Sequence, residues 1–322
     1  MAKSSNITIN MIEIFFKSFK IYFQNLPKFV SYMAFPVFGC LFGSIYILTV
    51  AYSFSEFLTK NGENNFIFNS VFFSLFIFIL VLIPGFLVFC KAFLDYIIAM
   101  STTSRAALDL IATDELVKDL KSYHSVLEKR EKHFILLIAL LSMAYGILSF
   151  PILWLVGLVF FLYSCLSIQA FAANENFGGF TSIRRSFLLI PGHVPTTIVL
   201  LLLLGFTTYC LIPECIWWLL KAGGISPYLG VPMKALLAKM GVVETLLPVV
   251  NDVINNIGIN FVLTFEMIVE NTTKLILLIT VSAFLLPIRS IACMFWYKRL
   301  NDGATGNSET AKKMAKKAKE KE

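Results

Sequence analysis

Charge is scarce in this 322-residue chain. Asp, Glu, Lys and Arg make up only 15% of it, where soluble globular domains carry about a quarter. With 57% hydrophobic residues, a water-soluble fold has too few charges to cover its apolar surface. Histidine is almost missing. His124, His133 and His193 have no ligand-like spacing, which argues against a metal site. The six cysteines (Cys40, Cys90, Cys165, Cys210, Cys215 and Cys293) form no CxxC pair. They read as free packing thiols rather than a disulfide framework. P-loop, nucleophile-elbow and HExxH patterns are absent, so neither catalysis nor a cofactor is expected. Nor is a cleavable signal peptide expected. The first run able to span starts near Phe29 with no small-residue cleavage site after it, so the first span is expected to act as its own membrane signal.

What the chain does have is long apolar runs rich in its 32 Phe. In lipid every backbone polar group must be bonded internally, which favours helices. The fold expected is an all-α integral membrane protein with six transmembrane helices and an N-terminal interfacial amphipathic helix. In that helix, residues 1–28, Asn10 and Glu13 make a capping-box-like start. Ile12, Phe15, Phe16, Phe19, Phe23 and Leu26 follow helical spacing, with Glu13, Lys17, Lys20 and Gln24 opposite. The pattern suits a helix lying in the bilayer interface, or one packed on the other spans.

Spans are expected at about 29–54, 66–98, 134–149, 152–173, 194–220 and 275–297. Pro84–Gly85 should kink the second. The run 134–173 would be about 60 Å as one helix, twice a bilayer core. It should fold back near Gly146 and Pro151, as two crossings or as a re-entrant pair. Residues 101–132 carry most of the internal charge and read as water-exposed amphipathic helices, with Leu116, Leu120, Tyr123 and Leu127 on one stripe. The segment 221–272 is punctuated by Gly and Pro. Its Ile257, Phe261, Phe265 and Ile268 suggest an amphipathic helix leading into the last span. Residues 301–322 form a lysine-rich tail expected to be mobile.

Sidedness follows from Lys and Arg near span ends. Six crossings put twenty basic residues on one side against five on the other. Both termini and the loop 101–132 are therefore expected in the cytoplasm. Trp217–Trp218 and Trp296–Tyr297 should mark opposite interfaces.

The connection from Ala172 to His193 contains Glu175, Arg185-Ser186 and Gly192, and the last span ends Trp296-Tyr297-Lys298-Arg299-Leu300. These resemble a group of bacterial six-helix membrane proteins. The group includes the membrane domain beside glycerophosphodiester phosphodiesterases and the YciC-like inner-membrane proteins. The shared pattern is an acid ending the fourth helix, a short amphipathic helix with a basic-Ser step, a Gly turn, and a terminal aromatic-basic-Leu step. The resemblance implies six helices in a bacterial inner (plasma) membrane and little about activity. Pro191 and the long 221–272 segment depart from the pattern. The soluble phosphodiesterase domain is absent, so its catalysis does not carry over.

Three constellations stand out. Arg184 and Arg185 lie off the apolar face made by Ile183, Phe187 and Ile190, where they can hold lipid phosphate or simply set topology. Arg289 lies within the last span, where it either snorkels or pairs with Asp95 or Glu175. Gly39 and Gly43 form a GxxxG step for close helix packing, within the chain or across a homo-oligomer. Membrane lipids, anionic ones included, are the expected partners, with a protein partner possible at 101–132 and no nucleic acid expected. The composition points to a non-enzymatic scaffold, accessory or lipid-interacting protein. The alternative is a transporter or channel.

Overall fold

A computed structural model describes residues 2–61, 71–113, 119–151, 153–242, 246–258 and 260–319, with side chains for 11–58, 73–111, 119–151, 153–242, 246–258 and 260–303. Asn10, Asp114, Glu115, Leu116, Lys118, the first residues of the second expected span and the tail lysine side chains lie outside that set. Among the described residues the chain is almost wholly helical, with no strand. In order, the helices are α1 (Ala2–Gln24), α2 (Leu26–Asn61), α3 (Val71–Thr113), α4 (Leu120–Glu128), α5 (Glu131–Leu148), α6 (Trp154–Ser164) and α7 (Ser167–Ala173). Then come α8 (Gly179–Leu189), α9 (Val194–Gly205), α10 (Ile212–Ala222), α11 (Ser226–Lys239), α12 (Leu247–Asn256), α13 (Phe265–Phe284) and α14 (Leu286–Lys319).

Six helical stretches are long and apolar enough to cross a membrane: Leu26–Leu58, Phe73–Ile111, Glu131–Leu148, Trp154–Ala173, Val194–Ala222 and Phe265–Phe284. Many of their large side chains face outward. Phe42, Phe76, Leu155 and Leu202 are each more than half exposed. Surfaces this apolar are stable when the surrounding solvent is lipid. The chain is thus an all-α protein with six membrane-spanning candidates.

The chain divides into two compact units. One comprises Met1–Met33, Tyr96–Phe206 and Leu285–Glu322, the other Ala34–Asp95 and Thr207–Phe284. At the heart of the first is the start of α14, packed by α1, α7 and α8. Ile288, Ile291, Ala292 and Met294 there have no exposed surface. A helix apolar all round is a core helix or a span, and hydropathy alone does not separate the two. The last helix long and apolar enough to cross, Phe265–Phe284, starts ten residues before the span expected at 275–297. The helix breaks at Leu285, where Pro287 has no N–H to continue the ladder. Trp296 changes role with it. It is buried, and its indole N–H donates to Thr197 Oγ1 at 3.0 Å, while the Thr197 hydroxyl donates to the His193 carbonyl. This is a satisfied core tryptophan rather than an interfacial belt residue.

Other boundaries shift too. α3 does not stop near Ile98 but runs to Thr113, about 64 Å by its rise per residue. Ser101, Thr102, Thr103 and Ser104 are buried in the first unit rather than exposed to water. Thr102, Thr103 and Ser104 survive burial by donating their hydroxyls to carbonyls four residues back. The fold-back of 134–173 is present, with its turn beginning at Ser149–Pro151, just after α5. Gly157 allows it, since a Cβ there would lie 2.7 Å from the Leu148 carbonyl oxygen. Among the described residues, Ile257, Gly258 and Asn260–Thr264 are not helical, so the expected lead-in to the last span starts only at Phe265. Asn251 instead clasps that segment, accepting from the Leu263 N–H and donating to its carbonyl. The tail backbone continues α14 to Lys319.

In the second unit α2 and α3 meet backbone to backbone. A Cβ on Gly39 would sit 2.6 Å from the Ala92 Cβ, and one on Gly43 2.9 Å from the Phe89 backbone. The Tyr46 ring covers Gly85, and its hydroxyl donates to the Val81 carbonyl in the turn that Pro84 disrupts. The GxxxG step is thus occupied within the chain.

Candidate functional site

The C-terminal end of α7 leaves its last carbonyls without helical donors. Asn174, its C-cap, is extended rather than left-handed, so no glycine-type cap closes it. Two arginines do so instead. Arg105, near the end of α3, donates to the Ala172 and Ala173 carbonyls at 3.0 and 3.3 Å and binds Glu175 at 2.9 Å. Arg130, between α4 and α5, donates to the carbonyls of Phe171, Asn174 and Phe177, the last at 2.6 Å. Its guanidinium carbon lies 4.1 Å from the centre of the Phe171 ring. Cations are favoured at a helix C-terminus by its dipole. Burial pulls the Arg130 guanidinium below its ordinary value. Glu175 acts to restore it, and the nearby Arg105 acts against it.

This clamp fixes the entry to α8. Gly179 lies against the α5 backbone, where a Cβ would be 2.9 Å from the Leu137 nitrogen. Ser186 is buried and bridges the break between α6 and α7, donating to the Tyr163 carbonyl at 2.6 Å and accepting from the Leu166 N–H at 3.2 Å. Phe187 packs on Phe160 and Tyr163. Gly192, at φ +84°, turns the chain into α9.

With its inner face held this way, α8 has a defined outer face. Phe180 is 72% and Leu188 62% exposed, and Arg184 lies between them at four-residue steps. Arg184 is exposed and has no partner among the described residues. Arg185 turns inward to the Asn301 side chain. The two arginines singled out by sequence therefore part company, one facing out and the other holding α14.

The N-terminal helix also has two faces. Met11, Ser18, Ile21 and Tyr22 are buried, and α1 packs on α14 and α9. Lys17 lies over the Phe295 ring at 5.6 Å. Ile12, Phe16 and Phe23 form a second stripe that stays exposed. The helix is thus packed on one face and apolar and exposed on the other.

Glu175 engages Arg105 and Asp95 engages Lys91 at 2.9 Å, so both carboxylates proposed for Arg289 have other cations. Arg289 is half-buried near the start of α14. Arg105 and Arg130 were not singled out by sequence. Arg105 stands beside the small buried residues Ser104, Ala106 and Ala107, which was the available signal. Arg130 lies in a run of charges and gave none.

In the second unit α10, α11 and α13 enclose a cleft of about 500 Å³. Lys221 bonds Glu270 at 2.6 Å, and Lys234 stands 4.0 Å from Glu266. Thr273 lines the cleft, and its hydroxyl is buried and without a partner among the described residues. A π-helical turn, Phe206–Leu211, precedes α10. Pro213 has no N–H for the carbonyl five residues back, Thr208, and the Ser282 hydroxyl serves that carbonyl at 3.1 Å. Among the described residues no three His, Cys, Asp or Glu side chains gather as a metal site. Comparison with protein-family models, with curated proteins and with solved structures finds no match.

Proposed function

We propose that this chain is a non-catalytic polytopic membrane protein that holds anionic lipid at the cytoplasmic face of a bacterial inner membrane and serves there as a scaffold or accessory protein. One observation carries the reading: Arg184 stands exposed, and unpartnered among the described residues, between Phe180 and Leu188 on a helix that Gly179 and Ser186 hold in place. Two apolar side chains flanking a guanidinium suit the boundary between acyl chains and phosphates. The exposed Ile12, Phe16 and Phe23 of α1 suit the same depth. The excess of Lys and Arg in the loops beside these helices supports a cytoplasmic side for them and for both termini. The exposed Lys121, Ser125 and Glu128 of α4, with Lys129 just after it, leave a polar face for a protein partner.

The experiment is reconstitution into nanodiscs of phosphatidylcholine with and without phosphatidylglycerol, reading retained lipid by native mass spectrometry. Arg184→Gln should lower phosphatidylglycerol retention severalfold, as should Arg184→Ala with Arg185→Ala. Equal retention by the Arg184→Gln protein and the wild type rejects the reading. The transporter alternative draws support from one feature, the charged cleft of the second unit.

A further inference from the structure

We infer that the cleft between α10, α11 and α13 binds an ethanolamine-phosphate group, an ammonium and a phosphate on one short linker. The cleft lies wholly in the second unit and has the volume of a small-ligand site. Its charges come as two lysines and two glutamates, matched to a ligand with one group of each sign. They are set by helical spacing. Glu266, Glu270 and Thr273 form one stripe of α13, while Ser226, Gly230 and Lys234 form a stripe of α11 at four-residue steps.

The two ion pairs are not equivalent. Lys221 and Glu270 are in direct hydrogen-bond contact at 2.6 Å. Lys234 and Glu266 are 4.0 Å apart, well beyond the 2.7–2.9 Å of a charge-assisted bond. That gap is where an ammonium can add to Glu266 and a phosphate oxygen to Lys234, each charge meeting its opposite. Two turns further along α13, Thr273 lines the same cleft next to Gly230, and its hydroxyl is buried and lacks any partner among the described residues. A buried hydroxyl without a partner is rare in a folded protein, and a phosphate at this end of the cleft would accept from it once the Thr273 side chain turned outward. Gly230 leaves this corner open. A Cβ there would already reach 3.5 Å from Val269 and 4.0 Å from the Thr273 oxygen, so any longer side chain would occupy the space. Trp217 gives the cleft an apolar wall.

The same group can arrive free in solution or as a lipid head group. The neighbouring residues of α11, Tyr228 and Val231, are strongly exposed and apolar or amphipathic, which suits acyl chains beside the head group.

The test uses the full-length protein in two settings. In detergent, binding of free phosphoethanolamine is measured by isothermal titration calorimetry, with methylamine and inorganic phosphate as single-charge controls. In nanodiscs, retention of phosphatidylethanolamine over phosphatidylglycerol is read by native mass spectrometry. Saturable binding of free phosphoethanolamine, at least tenfold tighter than either control, supports the site with a soluble source. Selective retention of phosphatidylethanolamine without free binding supports it with a lipid source. Lys234→Met and Glu266→Gln should each weaken the effect tenfold or more, and Lys239→Met, which does not line the cleft, should leave it unchanged. Gly230→Leu should abolish binding by filling the corner while both ion pairs stay, which covers the case that a charge variant misfolds. No preference in either setting, or full binding by the folded Gly230→Leu protein, overturns the proposal. Arg184→Gln should not alter this binding, so its failure and that of the α8 lipid site are told apart.

Discussion

The Arg130 guanidinium lies 4.1 Å from the centre of the Phe171 ring while its nitrogens reach the carbonyls of Phe171, Asn174 and Phe177. One side chain thus stacks on α7 and caps its end. Removing it leaves half-buried carbonyls without donors. Arg130→Met keeps the stem and should cost about 2–4 kcal/mol, within the usual range for breaking a buried polar network. Arg130→Lys should recover little, because an ammonium lacks the planar fork needed for three carbonyls and a ring face. Thermal unfolding in detergent measures both. A lysine variant as stable as the wild type would show that charge alone, and not geometry, closes α7.

Ser186 performs a similar task at the other end of the same helix. Its oxygen accepts from the Leu166 N–H and its hydroxyl donates to the Tyr163 carbonyl. Ser186→Ala leaves both groups unpaired in a dry site and should cost about 1–3 kcal/mol. Hydrogen exchange gives the sharper readout. The Leu166 amide should lose protection while α9 keeps its own, and unchanged protection at Leu166 would deny the bridge.

Legibility in the sequence followed the physics of each segment. The spans with lipid on most sides, α2 and the first part of α3, show as long apolar runs flanked by charge, and they were readable. The start of α14 reads the same way, because a core helix and a lipid-facing helix are equally apolar. Only Pro287 distinguishes it, and a proline alone reads as a kink. Ser101–Ser104 looked like the edge of a water-exposed loop, since small hydroxyl residues are polar by composition. Burial became possible because Thr102, Thr103 and Ser104 return their hydroxyls to their own helix, which no hydropathy pattern records. The cleft escaped for a further reason. Lys234 and Glu266 are thirty-two positions apart, and the intervening turns decide that they meet.

Gly39 and Gly43 set how closely α2 approaches α3. A Cβ at Gly43 would meet the Phe89 backbone at 2.9 Å, and backbone cannot rotate away as a side chain can. Gly43→Ala should therefore cost about 1–3 kcal/mol through overpacking, and Gly39→Ala, facing the Ala92 methyl group, a similar amount. Both should lower the unfolding temperature without changing the oligomeric mass in light scattering. A change of mass without a change of stability would move the glycine step to an interface between copies.

Tyr22 offers a pH handle in α1, outside the six spans. It is buried, stacks on Phe29 at 5.6 Å, and burial pushes its phenol up to about 12 from the ordinary 10. The folded state then holds this proton more tightly than the unfolded state does. Between pH 10 and 12 the unfolded chain ionises first, so the stability tied to the neutral phenol is complete below pH 10 and lost as pH rises towards 12. The shift corresponds to about 2–3 kcal/mol across that window. Tyr22→Phe removes the titrating group and keeps the ring. Its stability should fall less steeply than that of the wild type above pH 10, with the two curves parallel between pH 6 and 9. Denaturant unfolding at half-unit steps from pH 8 to 11.5 measures the difference. Parallel curves over the whole range would mean that the phenol stays solvated and that the buried face of α1 is looser than the packing against α14 implies.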